Sequence, residues 1–169
     1  MDDGELWERV IKGSKEAFDQ LYRRYGPPVR SFVRHYLADS SAADDLVQET
    51  FLQLWKRPNG FNPERGTLPQ YLFGIARKRA AQWRRETPAT VPAGSNEPAP
   101  GNTAELVLLR TALQQLDRDV RALLWLREFQ GYSYAELARI LDVPLGTVKS
   151  RLFTAREALR RIWRQGVKL

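Results

Sequence analysis

Along the chain, apolar positions recur at steps of three and four without sustained strand-like alternation, which predicts helices throughout. Residues 5–11 read as a short helix, and Ser14 can cap a second that carries Ala17, Phe18, Leu21 and Tyr22. Gly26, Pro27 and Pro28 are expected to interrupt it, because a proline inside a helix removes an amide donor and its ring strikes the preceding turn. A third helix then covers residues 29–37, residues 39–41 form a turn and cap, and a strongly patterned helix is predicted over about 42–56. Residues 58–66 read as a loop. Over residues 68–85 the chain is helical again, with Leu72, Ala76, Ala80 and Trp83 on one stripe that should face the core.

The pattern breaks at residues 87–102, TPATVPAGSNEPAPGN, which are rich in Pro, Gly, Ala and polar residues and read as a flexible linker. This divides the chain into an N-terminal domain over 1–86 and a C-terminal domain over 103–169. In the second, helices over about 104–115 and 118–129 are expected to supply Leu106, Leu109, Leu113, Val120, Leu123 and Leu124 to a small core, and Gly131 to end the latter. Ser133-Tyr134-Ala135-Glu136 fits a capping box, so a new helix begins there and buries Tyr134, Leu137, Ala138 and Leu141. It stops around Asp142 and Val143 and restarts near Pro144, whose missing amide is harmless in a first turn. So short a connection makes a helix-turn-helix. The fold class expected is all-α: two small helical domains joined by a flexible linker, the C-terminal one a helix-turn-helix.

In the last helix Val148, Leu152, Ala155, Leu159 and Ile162 define the buried stripe. The opposite face holds Ser150, Thr154 and Glu157, with Lys149 and Phe153 beside it, a mixture suited to base edges, thymine methyls and phosphates. Charge sharpens this. Lys and Arg total 27 against 20 acids, a formal charge of +7, which points towards a polyanionic partner. Arg77, Lys78, Arg79, Arg84 and Arg85 make the helix over 68–85 the most one-signed segment, compatible with a solvated face or with nucleic acid. The cationic tail Arg156, Arg160, Arg161, Arg164 and Lys168 is favoured in part by the helix dipole and in part by such a partner.

Other chemistry is sparse. There are no cysteines, which excludes disulfides, thiolate metal sites and cysteine nucleophiles. The single His35 cannot build a zinc site or a triad, Asp44 and Asp45 point about 100° apart, and no phosphate-cradling glycine loop occurs. No catalytic residue, metal or cofactor is therefore expected, and the chain does not read as an enzyme. No run reaches the roughly 18 apolar residues of a membrane span, and the acidic first eight residues are unlike a signal peptide, so a cytoplasmic location without membrane insertion is expected.

The segment GYSYAELARILDVPLGTVKSRLFTAREALRR resembles the promoter-reading domain of bacterial RNA polymerase sigma factors of the extracytoplasmic-function (ECF) group. AFDQLYRRY, DDLVQETFLQLWK and FNPERGTLPQYLFGIARKRAAQWRR resemble, in order and spacing, that group's other domain, so the likeness covers nearly the whole chain outside residues 87–102. It implies a factor that binds core RNA polymerase, recognises the −10 element and assists melting through its first (region-2) domain, and recognises the −35 element through its second (region-4) domain. By resemblance the helix over 42–56 docks on the polymerase clamp coiled coil, making Asp45, Gln48, Glu49, Leu52, Gln53 and Trp55 the candidates. Phe61, Arg65, Tyr71, Arg77, Lys78, Arg84 and Arg85 are the candidates for −10 DNA, where aromatic stacking beside cations holds unstacked bases.

For −35 DNA the candidates are Lys149, Ser150, Phe153 and Thr154 towards bases and Arg151 and Arg156 towards phosphates. Two positions depart from the group's pattern: Lys78 stands where asparagine is usual, and Thr154 where arginine is frequent. The resemblance also implies an anti-sigma protein as a possible partner. The alternative is a stand-alone helix-turn-helix regulator, which would act as a dimer on a palindromic site.

Overall fold

A computed structural model describes residues 1–37, 41–87 and 103–166, and every longer element among them is an α-helix. The chain divides into two units, Met1–Val91 and Pro92–Leu169. Residues 88–102, the body of the stretch read above as a linker, and residues 39 and 40 of the turn before the patterned helix lie outside the described residues.

The first unit holds α1 (Asp3–Ile11), α2 (Lys15–Leu37), α3 (Ala43–Lys56) and α4 (Leu68–Glu86), with two short 3-10 turns between the last two. Helix α1 starts earlier than its apolar pattern suggests because Asp2 caps it. The Asp2 carboxylate accepts from the Glu5 amide at 2.8 Å, and the Glu5 carboxylate accepts from the Asp2 amide at 3.3 Å. Asp3 then pairs with Arg24 at 2.6 Å and accepts from the Tyr25 hydroxyl, fastening α1 to α2.

The expected interruption of the second helix is overturned: α2 runs unbroken through Pro27 and Pro28. The two prolines deprive the Arg23 and Arg24 carbonyls of their intrahelical donors, but both residues lie on the exposed side, where water can serve them. Meanwhile one continuous stripe, Ala17, Leu21, Val29, Phe32 and Val33, is buried across the break. Fully burying each larger side chain there contributes about 1.5–3 kcal/mol, which offsets the roughly 3 kcal/mol cost of a proline in a helix interior.

Helix α3 begins at Ala43 with Ala42 as its N-cap, so no side chain caps it, and Asp44 and Asp45 in its first turn complement the dipole instead. Its inner face buries Leu46, Val47, Phe51 and Leu54. Thr50 is buried among them because its hydroxyl donates to the Leu46 carbonyl at 2.7 Å.

The second unit holds α5 (Ala104–Gln115), α6 (Arg118–Gln130), α7 (Tyr134–Leu141) and α8 (Leu145–Gly166), and α8 packs against each of the other three. Gly131 takes a left-handed conformation with φ 70°, as a C-terminal glycine does. The capping box forms: the Ser133 hydroxyl accepts from the Glu136 amide at 3.2 Å and the Glu136 carboxylate from the Ser133 amide at 2.7 Å. The turn into α8 passes through Asp142, also left-handed at φ 53°, a conformation that Asp adopts more readily than most non-glycine residues.

The expected core is only partly the observed one. Leu123 and Leu124 are buried, but Leu106 and Leu109 are 44% and 39% exposed, and Leu113 and Val120 are half-buried. Helix α5 buries Ala112 alone among its residues. The centre is built instead from Leu126, Leu137, Ile140, Leu141, Val148, Leu152 and Ala155, while Leu159 and Ile162 on the outer turns of α8 stay half-buried.

Candidate nucleic-acid and partner-binding surfaces

Helix α3 presents one side to solvent. Asp45, Gln48, Glu49 and Leu52 are all exposed, with Leu52 at 48%. Their spacing puts them on one strip opposite Leu46, Thr50 and Leu54. The other two candidates from this helix stand on its flanks. The Gln53 side-chain carbonyl accepts two hydrogen bonds from the Arg79 guanidinium of α4, at 2.8 and 3.1 Å. Trp55 lies edge-on to Phe18 of α2, ring centres 5.0 Å apart. Gln53 and Trp55 therefore fasten α3 to its neighbours, and the open strip is acidic and apolar. Asp44, one step round, is drawn aside by Arg30 at 2.6 Å.

The loop FNPERG and α4 make a second surface. Phe61 sits between Trp7, edge-on at 5.5 Å, and Tyr71, tilted at 5.5 Å. The loop's backbone is bound to glycine at two places. A Cβ on Gly60 would meet the Tyr71 hydroxyl at 2.5 Å. Gly66 has φ 154° and ψ −173°, and a Cβ there would meet Gln70 Oε1 at 2.6 Å. That oxygen is committed to the start of α4, where Thr67 and Gln70 form a capping box. Asn62, Pro63, Glu64 and Arg65 are exposed around the half-buried Phe61. Burial pushes the Tyr71 hydroxyl above its usual pKa, so it stays a neutral phenol.

Along α4 the basic candidates fall in two rows. Tyr71, Lys78 and Arg85 are seven apart and nearly in line, and Lys78 and Arg85 are exposed. Arg77 and Arg84 form a second row, both half-buried. Trp83, expected in the core, is half-buried, whereas Leu72, Ala76 and Ala80 on the same stripe are fully enclosed.

The third surface is the outer face of α8. Lys149, Ser150, Phe153 and Thr154 are all exposed, Phe153 at 68%, directly opposite the buried Val148, Leu152 and Ala155. Arg151 stands at the edge, 4.0 Å from Asp119. Arg156 is different from what its position suggested: its guanidinium donates to Glu128 of α6 and to the Tyr134 hydroxyl of α7, both at 3.1 Å. Tyr134, half-buried rather than buried, also lies under the Arg127 guanidinium at 5.0 Å. Arg156 thus ties α6, α7 and α8 together, and those hydrogen bonds raise its pKa further.

Arg156→Ala is accordingly expected to lower the stability of the second unit by about 1 kcal/mol, the partial exposure of the pair discounting a charged hydrogen bond. A urea titration of the full chain, combined with Glu128→Gln in a double-mutant cycle, measures this. The salt dependence of DNA binding should keep its slope, which a lost phosphate contact would not allow.

Residues 21–88 match the family model described as Sigma-70 region 2, and residues 106–159 that of Sigma-70, region 4. The chain is 33% identical to the RNA polymerase sigma-H factor of Pseudomonas aeruginosa, over 93% of its own length and 91% of the relative's. It is 34% identical to the ECF RNA polymerase sigma-E factor of Escherichia coli K12, over 94% and 93%. Among solved structures, the sigma factor RpoE of Bartonella quintana, in complex with the anti-sigma factor NepR, matches with a TM-score of 0.73 and 27% identity, over 87% of this chain and 96% of that one. CnrH in complex with the cytosolic domain of CnrY matches with a TM-score of 0.73 and 26% identity, over 96% and 97%.

Proposed function

This chain belongs to the ECF group of sigma-70 factors, which direct promoter-specific initiation by RNA polymerase, and on that premise we propose how its surfaces divide the work. The region-2 domain, residues 1–86, docks on core polymerase through the strip Asp45, Gln48, Glu49 and Leu52, with Gln53 and Trp55 setting the helix that bears it. Phe61 and Tyr71, flanked by Arg65 and the α4 cations Arg77, Lys78, Arg84 and Arg85, receive the −10 element. The region-4 domain, residues 103–169, lays α8 in the major groove of the −35 element, Lys149, Ser150, Phe153 and Thr154 towards bases and Arg151 towards a phosphate. Arg156 acts by holding that helix in place.

The observation that carries this reading is Phe153. A phenyl ring 68% exposed among hydroxyls and a lysine, on the face opposite the buried stripe, suits a thymine methyl in a groove. The factor is a regulatory protein of initiation rather than an enzyme. No described helix is long and apolar enough to cross a membrane, and a cytoplasmic location fits its work on the polymerase. Because one similar solved structure, that of RpoE, is a complex with the anti-sigma factor NepR, a similar partner covering the α3 strip is part of the proposal.

In vitro transcription with added core polymerase on a promoter library tests it. Transcripts are expected from promoters sharing two unlike elements in one direction at fixed spacing, and the free protein should bind duplex DNA weakly, since each unit offers a small surface. Tight palindromic binding without polymerase would instead identify a stand-alone regulator.

A further inference from the structure

Helix α8 continues well past its reading face, and its outer turns are cationic on one side. Arg160, Arg161 and Arg164 are exposed, and with Glu157 and Gln165 they surround an open hollow of about 220 Å3. At 100° per residue, Arg161 and Arg164 fall within about 35° and Arg160 about 70° from the midline shared by Ser150, Phe153 and Thr154, opposite Val148, Leu152 and Ala155. A helix dipole favours cations in the last turns whichever way they point. It gives no reason for the three to share the reading face while Ile162 and Trp163 take other sides.

Distance sets what these cations can reach. At 1.5 Å per residue, Arg161 and Arg164 lie about 10–15 Å along the axis beyond Thr154. The major groove is only about 12 Å wide, so side chains that far from the reading residues meet the sugar-phosphate wall and not base edges. Arg160 is paired with Glu157, whereas Arg161 and Arg164 make no ion pair with a described residue. An anionic partner can thus engage both without first breaking an ion pair to a described residue.

We infer that Arg161 and Arg164 grip backbone phosphates flanking the element that the same helix reads, an anchor independent of sequence. The inference rests on α8 being the DNA-reading helix. Such an anchor adds affinity without adding specificity, because phosphates carry no sequence information.

The test uses holoenzyme reconstituted from core polymerase and the full chain, with Arg161→Gln and Arg164→Gln combined; both positions are exposed, so the fold should persist. Promoter affinity is measured across salt concentrations, and on promoters whose phosphates are replaced by neutral methylphosphonates on either side of the −35 element in turn. The double variant should show a log–log salt slope shallower by about two, near 0.9 for each phosphate released. Neutralising the phosphates on one side should weaken the parent and leave the double variant unchanged, and the preferred bases should be the same in both. An unchanged slope and an unchanged response to neutralisation would overturn the inference. So would a loss of transcription with DNA affinity intact, which would assign the arginines to an acidic protein surface instead. Phe153→Ala, run in parallel, separates the two levels: if it leaves base preference untouched, the reading of α8 fails, and the arginine result is then judged on slope and neutralisation alone.

Discussion

Asp45→Arg combined with Glu49→Arg is expected to abolish association with core RNA polymerase while leaving the helical content of the chain intact. Both carboxylates lie on the exposed strip of α3, so neither substitution opens a cavity. Asp45 is in the first turn, where replacing an acid by a cation costs about 0.3–1 kcal/mol through the dipole. Glu49 stands 3.9 Å from Arg79, an exposed pair whose loss costs at most about 1 kcal/mol. Against a complementary partner the same changes reverse two charges, and like charges brought together across an interface cost several kcal/mol, a loss of about a thousand-fold or more.

Co-purification with core polymerase, alongside far-ultraviolet circular dichroism, measures both sides of the expectation. Asp44→Asn serves as a control, because Asp44 is turned towards Arg30 and off the strip. Retained co-purification of the double variant would remove the strip from the polymerase interface, and loss of helicity would mean that the variant reports folding instead.

Where the sequence pattern and the structure part company, the cause lies in contacts that periodicity does not encode. The double proline reads as a helix end because the local cost is certain, whereas the stripe running from Leu21 to Val29 and Phe32 becomes decisive only once α1, α3 and α4 enclose it. Leu106 and Leu109 look like core residues because they are apolar at helical spacing. Helix α5 nevertheless packs chiefly on α8, and Ala112 alone of its residues is fully enclosed.

Capping boxes were legible at Ser133 because they are local in sequence, and the one at Asp2 follows the same logic in Asp2-Asp3-Gly4-Glu5. Long-range polar ties were not legible. Nothing in the spacing of Arg79 to Gln53, or of Arg156 to Glu128 and Tyr134, marks them as partners 22 to 28 residues apart. Those ties engage Gln53 and Arg156 with neighbouring helices while leaving both side chains half-buried at the edge of the surfaces to which their helical positions assign them. The exposed side of α8 was legible, since a wheel built on Val148, Leu152 and Ala155 places Lys149, Ser150, Phe153 and Thr154 where the structure has them.

That exposed side should divide its labour in a way binding measurements can separate. Lys149→Ala and Phe153→Ala are each expected to cost about 1–3 kcal/mol at one or two positions of the −35 element and to relax base preference there, because an ammonium reads guanine acceptors and a phenyl ring packs on a thymine methyl. Arg151 stands at the edge of the buried stripe, 4.0 Å from Asp119, and should reach a phosphate. Arg151→Ala is therefore expected to weaken all promoters alike and to make the log–log salt slope shallower by about one. Holoenzyme binding to a randomised −35 element at two or more salt concentrations distinguishes the two classes in one data set. If Arg151→Ala shifted the preferred bases while Lys149→Ala and Phe153→Ala lowered binding uniformly, α8 would lie in the groove rotated by about a quarter turn. Ser150 and Thr154 would then leave the base edges, and the assignment of the reading face would be wrong.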